Sequence, residues 1–191
     1  MVEFTRRSPE PAELAAFRYA NSAADFNTPE FSPVKTSVKQ KLNEDQGGLC
    51  AYCESELSPT AGHIDHVKSQ SARRDLVFVY DNHVHSCTHL NHCGQAKRAK
   101  KIYIEPGPIG CNDCYTLSTN GLIGLVLGLT GDKRREAVKT LNRLGLSDSA
   151  LRLEREKWIK SSLALFETSA ADFEAFIADK PFRFILRRLT A

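Results

Sequence analysis

Residues 48–97 decide how this chain is interpreted, because four short motifs follow one another there. They read GLCAYCE (48–54), HIDH (63–66), YDNHVHSC (80–87) and HCGQAK (92–97). All six histidines lie between His63 and His92, and all six cysteines lie between Cys50 and Cys114. Such a density of metal-ligating side chains in one stretch indicates a site rather than a hydrophobic core.

The cysteines favour a metal over disulfides. Four of the six form C-x-x-C pairs, a spacing that lets two thiolates grip one tetrahedral ion. A chain of 191 residues is long enough to fold without disulfides. Its start, MVEFTRRSPE, has no apolar signal region, so we expect a cytoplasmic protein whose cysteines stay reduced. Zinc is therefore the first interpretation, and disulfides or inert buried thiols are the alternative.

Charge and hydropathy exclude little except a membrane span. The longest apolar run, residues 122–129, is far shorter than the roughly 20 residues that cross a bilayer, so we expect no membrane association. A net charge of +3 does not by itself indicate nucleic-acid binding, which needs clustered positive charge. Two basic groups stand out, and each could equally be a solvated helix face. They are Lys97, Arg98, Lys100 and Lys101 in one group, and Arg183, Arg187 and Arg188 in the other.

The flanking segments predict a mainly helical α+β protein. Pro11 opens a helix that carries Leu14 and Phe17 on one face, and a second helix covers about residues 34–43. Residues 115–126 predict a hairpin with its tight turn at Asn120-Gly121.

The C-terminal part predicts two helices. The first follows Gly131, with Ala137, Val138, Leu141 and Leu144 on one face, and ends at Gly145. Ser147 or Asp148 caps the second, long helix, which Pro181 ends. Its apolar positions predict one continuous seam at Ile159, Leu163, Phe166, Ala170, Phe173 and Ile177.

Asp65 and His66 are the candidates for chemistry. Hydrolysis of a phosphodiester needs a cation to stabilise charge on the phosphate and a base to activate water. A carboxylate suits a hard ion such as Mg²⁺, and an imidazole accepts a proton near neutral pH. His63 shares a strand face with Asp65 and could contact phosphate or metal, although a plain surface histidine is an equal alternative.

These motifs resemble those of the small HNH (His-Me finger) endonucleases that accompany an ATPase in prokaryotic antiphage systems of the Septu (PtuB-like) and retron-associated types. The resemblance covers roughly residues 6–155 and is strongest at 49–97. It implies cleavage of nucleic acid, DNA first, a beta-beta-alpha-metal core with a zinc knuckle, and a partner ATPase. The implied divisions are an N-terminal helical lead-in (1–48), the zinc-bound nuclease core with the hairpin (49–130) and a C-terminal helical lobe (131–191).

Matched by position, the resemblance implies a role for each central residue. His66 is the general base, Asp65 the metal-binding acid and Asn82 the residue that orients the loop bearing the base. The structural zinc ligands implied are Cys50, Cys53, Cys87 and Cys93. Mg²⁺ or a similar cation is the implied catalytic ion.

This chain departs from the family pattern at two positions. Gln95 stands where an Asn usually supplies a second oxygen ligand, and Ser69 stands where a Pro commonly follows the His motif. We expect Gln95 to bind the catalytic ion through its longer side chain, with His92 or His89 as substitutes. We expect Lys97 and Arg98 to contact substrate phosphate, with a solvated helix face as the alternative.

Two questions stay open at this stage. Cys111 and Cys114 could complete the zinc site, form a second site with histidines, or do neither. The departures at Gln95 and Ser69 also leave a rival function, a zinc-knuckle module that binds nucleic acid or a partner ATPase with weak catalysis or none.

Overall fold

A computed structural model describes residues 1–6, 9–21 and 25–190. Within those ranges no helix is both long and apolar enough to cross a membrane. The helices are α1 (Ala12–Ala20), α2 (Ser32–Asp45), α3 (Cys93–Lys97), α4 (Gly131–Leu144), α5 (Ser149–Thr168), α6 (Ala170–Ile177) and α7 (Arg183–Leu186). The strands are β1 (His63–His66), β2 (His83–Ser86), β3 (Tyr115–Ser118), β4 (Ile123–Leu125) and β5 (Leu189–Thr190). The α+β prediction is therefore confirmed.

The N-terminal helices form where the sequence predicts them. Pro11 directly precedes α1, and its carbonyl accepts the first helical hydrogen bond, from Leu14. Helix α2 runs two residues further at each end than expected and stops before Gly47, whose φ of 63° suits glycine. The apolar faces of both helices pack on residues 77–80. Burial of Leu14, and of Phe17 against neighbouring aromatic rings, stabilises this packing.

The central motifs fold as two antiparallel strands followed by a short helix. In the pairing of β1 with β2, His63 faces Ser86 and His66 faces His83. Helix α3 follows β2 in sequence, so the chain runs strand, strand, helix across this region. The first C-x-x-C pair lies in a turn that the bridge between Leu49 and Glu56 closes.

The hairpin belongs to a second sheet, in the order β4-β3-β5. Strands β3 and β4 pair antiparallel, as predicted, while β5 adds in parallel from the far end of the chain. Gly121 occupies the turn with φ 79°, and a Cβ there would clash with the Arg152 carbonyl oxygen. The turn therefore needs glycine both for its backbone angle and for its close approach to α5.

The C-terminal helices differ from the prediction in two respects. Helix α4 ends at Gly145 in the left-handed conformation, as expected, although Val138 is partly exposed and Thr140 is buried in its place. Asp148 caps α5 through hydrogen bonds from the backbone of Ala150 and Leu151. The prediction of a single long helix is wrong, because the backbone of Ser169 is extended and its side chain caps a separate helix, α6.

Two buried apolar clusters organise the described residues. One holds α1, α2 and residues 77–80, and the other joins the cysteine-rich region to β3 and the C-terminal helices. The second cluster therefore runs across the expected boundary at residue 130. The three-part division of the chain stays a prediction.

Candidate functional site

Four cysteines converge at the base of the strand, strand, helix unit. The sulfurs of Cys50, Cys53, Cys87 and Cys93 lie within 4.8 Å of one another. The Sγ atoms of Cys50 and Cys93 are 3.7 Å apart, close to the roughly 3.8 Å between two sulfurs that share a tetrahedral zinc at 2.3 Å. The group can therefore hold a metal ion such as zinc.

The four thiols shift one another's pKa values in both directions. Burial, followed by the neighbouring thiol of Cys50, raises the pKa of Cys93 well above its usual value. Burial of Cys50 is instead outweighed by hydrogen bonds from the other three thiols, which lower the pKa of Cys50 well below its usual value. A buried cluster of this kind ionises completely only if a cation compensates the negative charge. The backbone N–H of Cys87 donates to Cys50 Sγ over 3.3 Å, as expected around a sulfur that carries charge.

Cys111 and Cys114 do not join this group. Both are buried free thiols, and Cys111 Sγ lies 3.9 Å from the carbonyl oxygen of Met1. Burial raises the pKa of Cys111 to about 11, so this thiol stays protonated. Within the described residues, the metal-ligating group found is the one formed by the other four cysteines.

Asp65 is fixed by two donors that hold the same carboxylate oxygen. The Tyr52 hydroxyl donates to Oδ2 over 2.6 Å, and the Lys97 ammonium lies 3.1 Å from Oδ2. Burial, with the negative charge of Asp65 next, raises the pKa of Tyr52 well above its usual value, so the hydroxyl keeps its proton. The Asp65 side chain remains 13% exposed.

Lys97 occupies a different position from the one that a phosphate contact requires. Its side chain is buried, and its Nζ also donates to the carbonyl oxygens of His66, over 2.7 Å, and Arg98, over 3.2 Å. It thus ties α3 to the end of β1. Helix α3 directs this side chain inward, to Asp65, rather than to solvent.

The His66 imidazole is held through one nitrogen. Its Nε2 lies 2.9 Å from the Val77 carbonyl oxygen, which can only accept, so Nε2 carries the proton and Nδ1 is the acceptor nitrogen. Gln70 Nε2 lies 3.4 Å from Nδ1. Burial lowers the pKa of His66, which keeps the ring neutral at physiological pH. The ring packs edge-on against Phe26 and His83.

Asn82 braces the loop between His66 and the second strand. Its Oδ1 accepts from the backbone N–H of Lys68 over 2.8 Å, and its Nδ2 donates to the carbonyl oxygens of Lys68 and Leu76. These bonds join both ends of the loop, which also supplies the Val77 carbonyl that holds His66. The side chain therefore touches the loop and does not reach the cleft.

The position on α3 that faces Asp65 is Gly94. A Cβ on Gly94 would lie 2.7 Å from His63 Nε2 and 3.1 Å from Asp65 Cγ. Gln95 is the next residue along the helix and lines a cleft together with His63. Burial lowers the pKa of His63, and its Nδ1 is buried with no hydrogen-bond partner among the described residues.

Two adjacent clefts open around these residues and share Gln70. The Asp65 cleft, about 300 Å³, is lined by Asp65, His66, Ser69, Gln70, Ser71, Arg98 and Ala99. The lysine cleft, about 480 Å³, has the side chains of Lys35, Lys39, His63, Gln95 and Phe26 among its walls. Arg98 has a φ of 50°, a strained value for a residue other than glycine, and such strain is concentrated at functional sites.

Several residues of the site were missed from the sequence. Nothing in the sequence identifies Tyr52 as a site residue, because its role depends on the hydrogen bond between its hydroxyl and Asp65 on β1. Lys35 and Lys39 come from α2, which the sequence predicted only as part of a helical lead-in. Their spacing of four residues places both on one helix face, which was the available signal.

A buried arginine from the C-terminal half approaches the cysteine cluster. Arg155 on α5 is 1% exposed and donates to the Leu146 carbonyl oxygen over 2.9 Å, while its Nε has no partner among the described residues. Burial lowers its pKa, and the negative charges of Cys53, Glu54 and Cys93 oppose that shift. The guanidinium therefore lies within electrostatic reach of the thiolates.

The chain is similar to a known protein over most of its length. No protein-family model matches the chain. The chain is 33% identical over 178 residues to the "Retron Vc95 putative HNH endonuclease" of Vibrio cholerae serotype O1 biovar El Tor, and the match covers 87% of this chain and 86% of that protein. Identity of this degree over most of both chains is what members of one family share.

Proposed function

Because this chain belongs to the family of retron-associated HNH endonucleases, we propose that it hydrolyses phosphodiester bonds in nucleic acid with a divalent cation bound at Asp65. The observation that carries the proposal is that Asp65 and His66 line one cleft with Arg98. A carboxylate, a neutral imidazole and a guanidinium are the groups that this reaction needs around a phosphate.

His66 acts as the general base in this proposal. The Val77 carbonyl holds Nε2–H, so Nδ1 takes the proton of the attacking water. An imidazole whose pKa is lowered by burial is unprotonated at neutral pH and needs no prior loss of a proton. Asn82 is a positioning residue, because it braces the loop that carries the Val77 carbonyl.

Asp65 fits a divalent cation. Tyr52 and Lys97 both bind Oδ2, and within the described residues no hydrogen bond engages Oδ1. One carboxylate oxygen thus remains for an ion such as Mg²⁺, which when bound stabilises charge on the phosphate. We propose that β1, β2 and α3 form a beta-beta-alpha-metal core in which zinc on the four cysteines has a structural role.

The substrate, which we propose is DNA, would contact both clefts. Lys35 and Lys39 line the lysine cleft beside His63, and Arg98 lines the Asp65 cleft. Lys35 lies over the Phe26 ring at 4.7 Å, which directs its ammonium along the wall of the cleft. Basic side chains spaced along a groove bind a phosphate backbone without regard to sequence.

We propose that the chain acts as an effector of antiphage defence together with a partner ATPase. The support is the retron named for the Vibrio relative and the resemblance of motifs 48–97 to the Septu and retron-associated nucleases. A nuclease of this kind would need the ATPase and its trigger for full activity.

The test is cleavage of plasmid DNA and of RNA by wild type and His66→Ala, with Mg²⁺ or Mn²⁺ added or omitted, and with the ATPase and trigger present. We expect cleavage that requires the added ion and falls by about 10²- to 10⁴-fold in the variant. The control is Glu167→Ala, which removes an exposed side chain outside both clefts, and zinc content is compared in all three proteins. Equal cleavage by wild type and His66→Ala would overturn the proposal.

A zinc-knuckle binding module is the second candidate, and the empty position at Gly94 favours it, because no helix side chain there can bind an ion at Asp65. A binder would tolerate His66→Ala and lose its function on Cys50→Ser. A nuclease needs both residues.

A further inference from the structure

Position 94 requires glycine because the His63 side chain lies against it, and not because its backbone angles require glycine. Its φ is not positive, so any residue could adopt the local conformation. A Cβ there would lie 2.7 Å from His63 Nε2 and 3.1 Å from Asp65 Cγ, and real Cβ contacts are essentially never below 3.0 Å. The His63 imidazole therefore occupies the space into which a side chain at position 94 would extend.

We propose that His63 is the second protein ligand of the divalent cation at Asp65 and takes the place of a ligand from α3. This rests on the proposed function and specifies the cation site. His63 and Asp65 are two residues apart on β1 and share one face of the strand. Both side chains lie about 3 Å from the same point above Gly94. The buried Nδ1 of His63 has no other partner among the described residues to fix the ring.

Gln95, which the sequence favoured as the second ligand, is less suited by position. Successive residues of a helix are rotated by about 100°, so Gln95 and Gly94 cannot both face Asp65. Gly94 is the residue that does so. Both ligands then come from one short strand rather than from a strand and a helix.

An imidazole ligand changes which cation the site prefers. Mg²⁺ favours oxygen ligands, whereas Mn²⁺ and later first-row ions accept an imidazole readily. We therefore expect the site to bind Mn²⁺ more tightly than Mg²⁺, by at least about tenfold, one step of 1.4 kcal/mol.

The experiment measures Mn²⁺ binding to the zinc-loaded full chain by calorimetry and by the paramagnetic resonance of bound Mn²⁺. The proteins are wild type, His63→Ala, the double variant His63→Ala/Gly94→Asn, and, as the control, Glu167→Ala, which removes an exposed carboxylate outside both clefts. We expect His63→Ala to lose at least about tenfold in Mn²⁺ affinity. The double variant should regain affinity, because removal of the imidazole opens the space for an asparagine oxygen, and its preference should move towards Mg²⁺.

The possible results separate this inference from the proposed function. Unchanged Mn²⁺ affinity in His63→Ala, with cleavage still dependent on His66, overturns the inference and leaves the nuclease proposal standing. Equal Mn²⁺ binding by wild type and Asp65→Ala overturns both. Should His63→Ala lose its zinc or its fold, His63→Leu keeps the bulk against Gly94 and removes the ligand atoms. Wild-type affinity in that variant then contradicts the inference.

Discussion

The Tyr52 hydroxyl donates a 2.6 Å hydrogen bond to Oδ2 of Asp65. Tyr52 lies between the two cysteines of the first C-x-x-C pair, and Asp65 lies on β1. The contact therefore links the cysteine cluster to the candidate cation site through one buried side chain. Any change in the geometry of the cluster would reach Asp65 through this bond.

Tyr52→Phe should reduce cleavage while leaving the zinc content unchanged. It removes a hydrogen bond to a charged group, which contributes about 1.5–3 kcal/mol, and leaves Oδ2 to Lys97 alone. We expect cleavage to slow by about tenfold, because a carboxylate displaced by a fraction of an ångström holds its cation less well. Tyr115→Phe is the control, since that buried hydroxyl contacts the Ala137 carbonyl instead. Equal cleavage rates in the two variants would show that the bond to Asp65 has no functional role.

Lys97→Met should destabilise the fold without changing the salt dependence of DNA binding. The side chain is buried and paired with Asp65, and breaking a buried ion pair on one side costs about 3–5 kcal/mol. A phosphate contact would instead lower the salt slope by about one, which we expect for Arg98→Gln. Denaturant unfolding and DNA binding at several salt concentrations separate the two roles. The exposed Lys100 supplies the control, Lys100→Met.

Metal analysis should find one zinc per chain, bound by the cysteine cluster. Cys53→Ser should lose that ion, and Cys114→Ser should keep it, because Cys114 lies outside the cluster. Loss of a structural metal destabilises a domain by more than about 4 kcal/mol, which lowers the Tm of a chain of this size by roughly 10 °C. The measurements are zinc content and thermal unfolding. Two zinc ions per chain, or zinc loss in Cys114→Ser, would contradict the assignment.

Acid should weaken the fold through His83. Burial, and next the charge of His66, lowers the pKa of His83 to about 3, whereas the unfolded chain has its ordinary value near 6.5. Below pH 6.5 the unfolded state binds a proton that the folded state refuses. The free energy of unfolding should then fall by up to about 1.4 kcal/mol per pH unit from this residue, and the loss should continue down to about pH 3.

The variant His83→Gln isolates that contribution. Denaturant unfolding at pH 7 and pH 5 should give a smaller difference for the variant than for wild type, by about one bound proton. An identical pH dependence in both proteins would mean that His83 is already protonated in the fold, or is not buried.

Much of the fold is readable from the sequence because local signals set it. Pro11, the Asn120-Gly121 turn and Gly145 act within a few residues of the backbone, and each element that they predict is present. The break at Ser169 was not readable. The apolar spacing continues across the break. A serine within such a pattern can either continue the helix or cap a new one, and the spacing does not distinguish the two.

The sequence predicts which residues belong to the site better than it predicts the contacts between them. The grouping of Cys50, Cys53, Cys87 and Cys93 follows from the family pattern, since spacing alone left Cys111 and Cys114 open, and the four sulfurs do converge. The buried position of Lys97 and the direction of Gly94 depend on how α3 lies across β1. That is a tertiary relationship, and no spacing along the chain encodes it. The catalytic roles of His66, Asp65 and Asn82 stay predictions.

Arg155 couples the C-terminal half of the chain electrostatically to the cysteine cluster. Four thiolates around a doubly charged ion would carry a net negative charge. The guanidinium of Arg155, a buried side chain of α5, would partly compensate that charge. If the ion leaves and the sulfurs are protonated, the arginine loses the thiolate charges that oppose the cost of its burial and keeps only those of carboxylates such as Glu54 and Asp148. Demetallation and the loosening of a distant helix would then be a single event.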